Sequence, residues 1–484
     1  MILFPGRALE TWEPTCFLND LKSAGFDSCL FERDDLRPDR TLVFHPDSKI
    51  QETLLRLFVE GSDLDEADVS EALAGSFREL IELGLLLRVD RKVKSNLRLK
   101  ATVDGVFADD FSSRLNESPE DYVMGVAPTT QMVKALVPSG DHRRILDLCC
   151  GGGWLAIKLK NRENFVTGTD LNSRAIEIAR FNARLNGVEG IDWREGSWYE
   201  KVEGEKFDLI ISNPPFVVSP GNQAVALDTE NNETVIPAVL GGIASRLNEN
   251  GYACMLLDWP FLDVENWSEV PLGSFDCSGL QVLLFEIKRN SPEEYARHWV
   301  GQDPRFSESN TFRTEVNRWV EFLNQKGYQG ISSGFFVARK CAPGDEWIME
   351  ESRGLAQFNE TTSVDLSRIF EGRTWLTKNS DDLLDLRFNV ADGLIQSSQS
   401  ILNDGRWEVA NLKLTSAGLV AYDGHIDEAL LQIINAASSG GTIRELLPDL
   451  AKPLGVDPGA ISVQVTELVK ELVSLGVILP KRSA

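Results

Sequence analysis

Between residues 121 and 342, short apolar runs alternate with amphipathic stretches, and this alternation restricts the possible folds more than any other feature of the chain. Strands that are apolar along their whole length need cover on both faces, which a parallel sheet flanked by helices provides. Arg144–Leu148, Phe165–Asp170, Ile191–Arg194, Phe207–Ser212, Tyr252–Asp258, Leu280–Lys288 and Ser332–Lys340 read as strands. Helices are expected after Gly153, Asn172 and Val235, and across Ser309–Lys326. The last two strands have no evident short crossover between them, so an antiparallel pair at one sheet edge is expected.

A chain of 484 residues has room for two to four domains at roughly 100–200 residues each. The changes of pattern place boundaries at 1–120, 121–342 and 343–484. The first segment carries helical periods over Ile50–Val59, Glu66–Ala74 and Phe77–Leu83, the last stopped by Gly84. A hairpin between Leu85–Leu87 and Leu97–Val103 would complete a winged-helix-like α+β domain. In the third segment Asp404-Gly405 signals a turn between apolar stretches, and Ile426–Ala436 and Ser462–Leu475 are helical by period. Leu472–Leu479 repeats the pattern of Leu80–Leu87, a Leu-rich helix, a glycine and a short strand. Either the winged-helix-like module is duplicated at the two ends, or both are ordinary helix-to-strand junctions.

The formal net charge of −25 opposes indiscriminate binding to a phosphate backbone, and it suits a protein or small-molecule substrate. Against it, Arg88, Arg91, Lys92, Lys94, Arg98 and Lys100 cluster in one stretch. On a winged-helix hairpin they can meet RNA or DNA, and on a solvated strand face they can pair with local acids. The seven cysteines, Cys16, Cys29, Cys149, Cys150, Cys254, Cys277 and Cys341, are odd in number and form no C-x-x-C. His45, His142, His298 and His425 are scattered. No disulfide framework and no metal site is expected, and a reducing cytoplasm is the natural setting. Met1-Ile2-Leu3-Phe4-Pro5-Gly6-Arg7 lacks the apolar core of a signal peptide, and no run of about 18 apolar residues suggests a membrane span.

Ile145-Leu146-Asp147-Leu148-Cys149-Cys150-Gly151-Gly152-Gly153-Trp154-Leu155 is a strand entering a glycine loop and then a helix. Such a loop lets the backbone approach a ligand beside free helix N–H groups, or simply makes a tight turn. A second strand, Val166-Thr167-Gly168-Thr169-Asp170, ends on a carboxylate 23 residues after Asp147 that can accept both hydroxyls of a ribose. Asn172 or Ser173 can cap the helix that follows. Taken together, Asp147-x-Cys149-x-Gly151-x-Gly153 and Asp170 resemble the fingerprint of class I S-adenosylmethionine-dependent methyltransferases, which implies a Rossmann-like α/β domain. The resemblance implies that Gly151 and Gly153 shape the loop beside the amino-acid moiety and that Asp170 holds the ribose. Cys149 stands where the family has its first glycine. Ser197 stands where the family places an acid for the adenine amino group, and Trp198 can stack on adenine or pack in the core. The implied cofactor-binding set is Asp147, Cys149, Gly151, Gly153, Asp170, Leu171, Ser197, Trp198 and Asn213.

Phe207-Asp208-Leu209-Ile210-Ile211-Ser212 runs directly into Asn213-Pro214-Pro215-Phe216. The prolines fix the backbone and remove two N–H donors. The Asn213 side-chain oxygen and the Pro214 carbonyl can then accept both hydrogens of a planar –NH2 group. That draws the nitrogen lone pair out of conjugation, while Phe216 lies over the plane. After the fourth strand of this fold the sequence resembles the catalytic loop of amino methyltransferases, most of all the HemK-like glutamine methyltransferases and their small-domain relatives. Tyr122–Thr130 precedes a helix at Gln131–Leu136, and the resemblance places Gly125, Pro128 and Thr129 along the cofactor pocket. Beyond about residue 260, Ser291-Pro292-Glu293-Glu294-Tyr295-Ala296 and the paired strands look like a bacterial branch of that group. Three functions follow: a protein glutamine amide methyltransferase, an N6-adenine or N2-guanine methyltransferase on RNA or DNA, or a non-catalytic binding protein that kept the fold. The intact Asn213–Phe216 loop argues against the third.

Overall fold

A computed structural model describes residues 3–4, 8–27, 46–221, 232–306, 308–352, 359, 361–379, 382–418 and 420–481. Cys29, His45 and, from the N-terminal segment, residues 1–2 and 5–7 lie outside the described residues. The chain forms two compact units. The first comprises Met1–Val133, His142–Asp276 and Leu284–Phe336, and the second Lys134–Asp141, Cys277–Leu283 and Val337–Ala484.

From Lys49 on, the first unit carries helices and short strands in the order α-β-α-α-β-β. Helix α1 (Lys49–Phe58) starts where the Ser48 side chain accepts a hydrogen bond from the Gln51 N–H. Strand β1 (Leu64–Asp65), α2 (Glu66–Ala72) and α3 (Phe77–Leu83) follow, and α3 ends on Gly84 at φ 86°. Strands β2 (Leu86–Val89) and β3 (Lys92–Ser95) pair around Asp90-Arg91, with β1 on the far side of β3. The expected hairpin between Leu85–Leu87 and Leu97–Val103 does not form. Arg98–Thr102 (β4) pairs instead with Gly105–Asp109 (β5). Two hairpins with two-residue turns close shorter loops, at less entropic cost, than one hairpin spanning both. In the basic stretch, Arg88 pairs with Glu66, Lys92 with Asp65 and Arg98 with Asp109.

The central sheet has the order β8-β7-β6-β9-β10-β12-β11-β13. Its strands are β6 (Arg144–Leu148), β7 (Phe165–Asp170), β8 (Ile191–Glu195), β9 (Phe207–Ser212), β10 (Leu247–Phe261), β11 (Leu280–Asn290), β12 (Gly330–Lys340) and β13 (Trp347–Ser352). The strands from β8 to β10 pair in parallel. The order reverses between β6 and β9, and in a doubly wound sheet ligands bind in the crevice at such a switch point. Around the sheet lie α4 (Trp154–Leu159), α5 (Ser173–Leu185), α6 (Asn232–Gly241), α7 (Pro292–Val300) and α8 (Ser309–Gln325). Helix α5 carries Ala175, Ile178, Phe181 and Leu185 into one core with the N-terminal helices. There Phe181 stacks on both Phe4 and Trp12.

The second unit holds a helix over Thr362–Lys378, strand β14 (Phe388–Val390) and a hairpin of β15 (Ile395–Asn403) with β16 (Arg406–Thr415). Asp404 and Gly405 adopt φ 45° and 78° in the hairpin turn, as the sequence implies. Strand β17 (Asp423–His425) adds to β16. Helices α9 (Glu428–Ser439), α10 (Ile443–Ala451) and α11 (Pro458–Ser474) lead to β18 (Ile478–Pro480), which pairs with β14. Among the described residues no helix is long and apolar enough to cross a membrane. Nor, among the described residues, does any group of three or more His, Cys, Asp or Glu side chains stand ready to hold a metal ion.

Candidate active site

A cavity of about 760 Å³ opens at the switch point, within the range of pockets that enclose small ligands. At one end it is lined by Asp147, Cys149, Gly151, Asp170, Leu171, Ser197 and Trp198, and at the other by Asn213, Pro214, Pro215 and Phe216. Gly125, Pro128 and Thr129 line it as well. Of the cofactor-binding and catalytic residues expected from the sequence, Gly153 alone is not in the wall. At φ 80° it lets α4 start, and an added Cβ there would lie 2.6 Å from the Trp193 ring and 2.9 Å from the Ala179 Cβ. Its role is close packing under the loop.

The loop is held by acids on the two strand ends. Asp170 accepts from the Gly151 N–H at 2.8 Å and from the Asn172 N–H at 2.9 Å. Burial raises its pKa, and these backbone bonds oppose the rise. Asp147 accepts from the Ala156 N–H at 2.9 Å through Oδ2, whereas its Oδ1 is buried with no hydrogen-bond partner. Burial pushes the Asp147 carboxyl up to about 8, and the neighbouring Asp170 adds to the effect. From α5, the Asn182 amide donates to the carbonyls of Gly152 and Ala108 at 2.9 and 3.0 Å and accepts from the Ala108 N–H at 2.7 Å. One buried amide thus fastens the glycine loop to β5. Cys149 sits at φ 60°, where a residue with a Cβ is strained. Burial raises its thiol pKa well above the ordinary value, so it stays protonated. Trp198, at φ 44°, is half-buried in the cavity wall. The aromatic side chain that packs in the core is its neighbour Tyr199, whose hydroxyl donates to the Val239 carbonyl at 2.7 Å.

At the other end, the Asn213 side-chain N–H groups reach the hydroxyls of Thr129 and Thr130 at 3.3 and 3.2 Å. Its Oδ1 is buried without a partner. The Phe216 ring meets Trp299 edge-on, centroids 6.2 Å apart. Val217 and Val218 are buried beneath α7 and α8 with Tyr295, Val300 and Trp319. The Val218 N–H donates to the Tyr295 hydroxyl at 3.0 Å, and that hydroxyl donates to Asp258 Oδ2 at 2.7 Å. Asp258, Lys288, Tyr295, His298, Trp299, Gln302 and Ser333 complete this wall. Sequence reasoning missed all of these as site residues. One signal was available, because Tyr295, His298, Trp299 and Gln302 recur at the spacing of a single helix face. The capping box of Ser291 and Glu294, with Pro292 at the first helical position, starts that helix.

The unpartnered Asp147 Oδ1 and the strand-end carboxylate of Asp170 suit a ligand that brings an ammonium group and vicinal hydroxyls, and S-adenosylmethionine carries both. The sheet order, the switch-point cavity and the strand–glycine loop–helix together are those of the Rossmann-like class I methyltransferase fold. Residues 126–238 match the family described as Methyltransferase small domain. Residues 367–480 match a domain of unknown function, DUF7782. The chain is similar to a release factor glutamine methyltransferase of Xylella fastidiosa, 41% identical over 96 residues, covering 19% of this chain and 35% of the relative. The release factor glutamine methyltransferase of Aliivibrio fischeri is 29% identical over 196 residues, covering 35% of this chain and 65% of the relative. This chain therefore spans less than two thirds of these relatives. A solved ribosomal protein L11 methylase from Lactobacillus delbrueckii subsp. bulgaricus matches with 24% identity and a TM-score of 0.24, covering 33% of this chain and 72% of that structure.

Proposed function

We propose that the chain is an S-adenosylmethionine-dependent N-methyltransferase acting on a planar amino group, and that its acceptor is a glutamine amide of a protein. The observation that carries this reading is Asn213 Oδ1, a buried acceptor with no partner, in the wall of the cavity that also holds Asp147 and Asp170. A buried carbonyl oxygen left unpaired is costly, and an incoming –NH2 group satisfies it. The Pro214 carbonyl is free of competition from a neighbouring N–H and can take the second hydrogen. Phe216 offers a face for the amide plane, with Trp299 at its edge.

S-adenosylmethionine, when bound, supplies an electrophilic methyl group on a sulfonium. Asp147, Asp170, Ser197 and Trp198 would hold it, and Asn213 and Pro214 would orient the nitrogen toward the methyl carbon. The chain then contributes position and electrostatics, with no covalent enzyme intermediate. A protein acceptor is supported by the names of the relatives, by the net charge of −25 and by the pairing of Arg88, Lys92 and Arg98 with acids. The test is transfer of a radiolabelled methyl group to cell lysate, separated afterwards into protein, RNA, DNA and small molecules. Label is expected in protein, and acid hydrolysis should release it as methylamine, as an N-methylated amide requires. Label confined to nucleic acid, or retained as a methylated lysine, would overturn the reading.

A further inference from the structure

An amide nitrogen is a poor nucleophile, because its lone pair is delocalised and because a methylated amide must lose a proton to become neutral. Asn213 and Pro214 accept hydrogen bonds from that nitrogen but are too weakly basic to keep a proton. Another group must take it. The cavity wall on the side of the amide contains one buried carboxylate, Asp258, near the end of β10. Strand β10 lies directly beside β9 in parallel register, with Met255 opposite Ser212. The chain therefore carries Asn213 and Asp258 off the same end of two adjacent strands and into one cavity.

We propose that Asp258 accepts the proton released on methylation, an inference that rests on the amide-methyltransferase reading above. The bond between nitrogen and the methyl carbon forms as the carbon–sulfur bond breaks and its electron pair returns to sulfur. The N–H proton then passes to the Asp258 carboxylate, which becomes a neutral acid. Its surroundings suit this. The Tyr295 hydroxyl donates to Oδ2 at 2.7 Å, and Ser333 from β12 and Trp299 from α7 line the same wall of the cavity. A carboxylate has about four acceptor positions, and the Tyr295 hydroxyl takes one of them, which leaves room for the substrate N–H. Burial pushes its pKa up to about 6, while these side chains and Lys288 from β11 hold it down. The group is thus ionised near neutrality and more basic than an exposed aspartate, as a general base should be. Through Tyr295 the same carboxylate is tied to the Val218 N–H, two residues beyond Phe216, which fixes it relative to the loop. Lys288, Tyr295 and His298 are the other titratable groups facing this part of the cavity.

A test independent of the acceptor compares two cofactor analogues by calorimetry. Sinefungin carries an ammonium group where the transferable methyl would be, and S-adenosylhomocysteine carries nothing there. The ratio of their affinities reads the negative charge facing the reacting position. In the wild type, sinefungin should be favoured above pH 7, and the preference should decline as pH falls through about 6. Asp258→Asn should lose the preference by about tenfold or more and flatten its pH dependence. Tyr295→Phe, which leaves the carboxylate in place, should keep the preference and move the midpoint upward. If Asp258→Asn keeps the wild-type ratio and pH profile, the preference does not come from Asp258 and the proposal fails, while the methyltransferase reading stands. If the wild type binds neither analogue, that reading fails and takes the proposal with it. If Asp258→Asn does not fold, the wild-type profile alone decides, and a flat profile between pH 5 and 8 overturns the proposal.

Discussion

Replacing Asn213 with alanine should separate stability from turnover. The side chain gives up two hydrogen bonds to threonine hydroxyls, at 3.3 and 3.2 Å, both near the outer limit of such bonds. Each is worth about 0.5–1.5 kcal/mol net, and at these lengths the lower figure applies, giving a loss of about 1 kcal/mol. Against this, the substitution removes a buried oxygen with no partner, whose desolvation costs about 1–3 kcal/mol. The two terms nearly cancel, so the ligand-free protein should unfold at a denaturant concentration close to that of the wild type, or slightly higher. Turnover behaves differently. The Asn213 oxygen gains strength as the acceptor nitrogen loses conjugation and becomes positive, so its effect belongs to the transition state. Loss of one such preorganised group costs about 2.7–4 kcal/mol, or roughly 10²–10³ in rate. Denaturant titration, cofactor calorimetry and a methyl-transfer assay on one preparation give all three quantities. A destabilisation above about 2 kcal/mol together with normal turnover would refute the reasoning and make Asn213 a structural residue.

Three further outcomes are expected. Asp170→Ala should weaken S-adenosylmethionine by roughly 1.5–3 kcal/mol in calorimetry, the range for hydrogen bonds to a charged group, and should loosen the loop through the Gly151 N–H it now accepts from. Burial pushes the Asp147 carboxyl up to about 8 from the ordinary 3.8, so its contribution to the ligand-free protein is fully present below about 4 and is lost as pH rises through 8. Asp147→Asn should flatten that part of the stability–pH curve in thermal or denaturant unfolding. Arg98→Ala leaves the Asp109 carboxylate, 4% exposed, without its cation. Circular dichroism during denaturation should show a loss of about 3 kcal/mol, the lower end for a broken buried pair, because the guanidinium is itself a third exposed.

The central domain was readable because its signals are local. Each strand is an apolar run, and Asn172, whose side chain caps α5, donates its backbone N–H to Asp170 two residues before it. The cofactor end of the cavity lies within one stretch of sequence, so spacing alone brought Asp147, Gly151 and Asp170 together. The acceptor end did not follow from spacing. Asp258, Tyr295 and Ser333 come from elements separated by long connections, and nothing in a strand-end aspartate tells whether it faces solvent or a cavity. The hairpin expected after Gly84 was misread for the opposite reason. Leu85–Leu87 and Leu97–Val103 are both apolar enough to pair, but two-residue turns at Asp90-Arg91 and Val103-Asp104 captured each strand for a nearer partner. Gly84 and Gly476 were rightly placed past their helices, at φ 86° and 71°. At Gly476 an added Cβ would lie 2.7 Å from the Arg368 backbone, a constraint that no local sequence rule expresses.

The Asn182 clamp makes the N-terminal segment a reporter on the nucleotide site. Its amide holds Gly152 of the cofactor loop and Ala108 of β5 at once, and α5 shares its apolar face with Phe4, Trp12 and the helices before residue 84. A ligand that binds only the closed loop shifts the opening equilibrium of everything that must open with it, by RT ln(1 + [L]/Kd). At a hundredfold excess over Kd that amounts to about 2.7 kcal/mol, or roughly a hundredfold slower cutting by a protease that attacks the opened form. The rate at which residues before 110 are clipped should therefore follow cofactor occupancy, even though none of the helices among the described residues of that segment lines the nucleotide cavity.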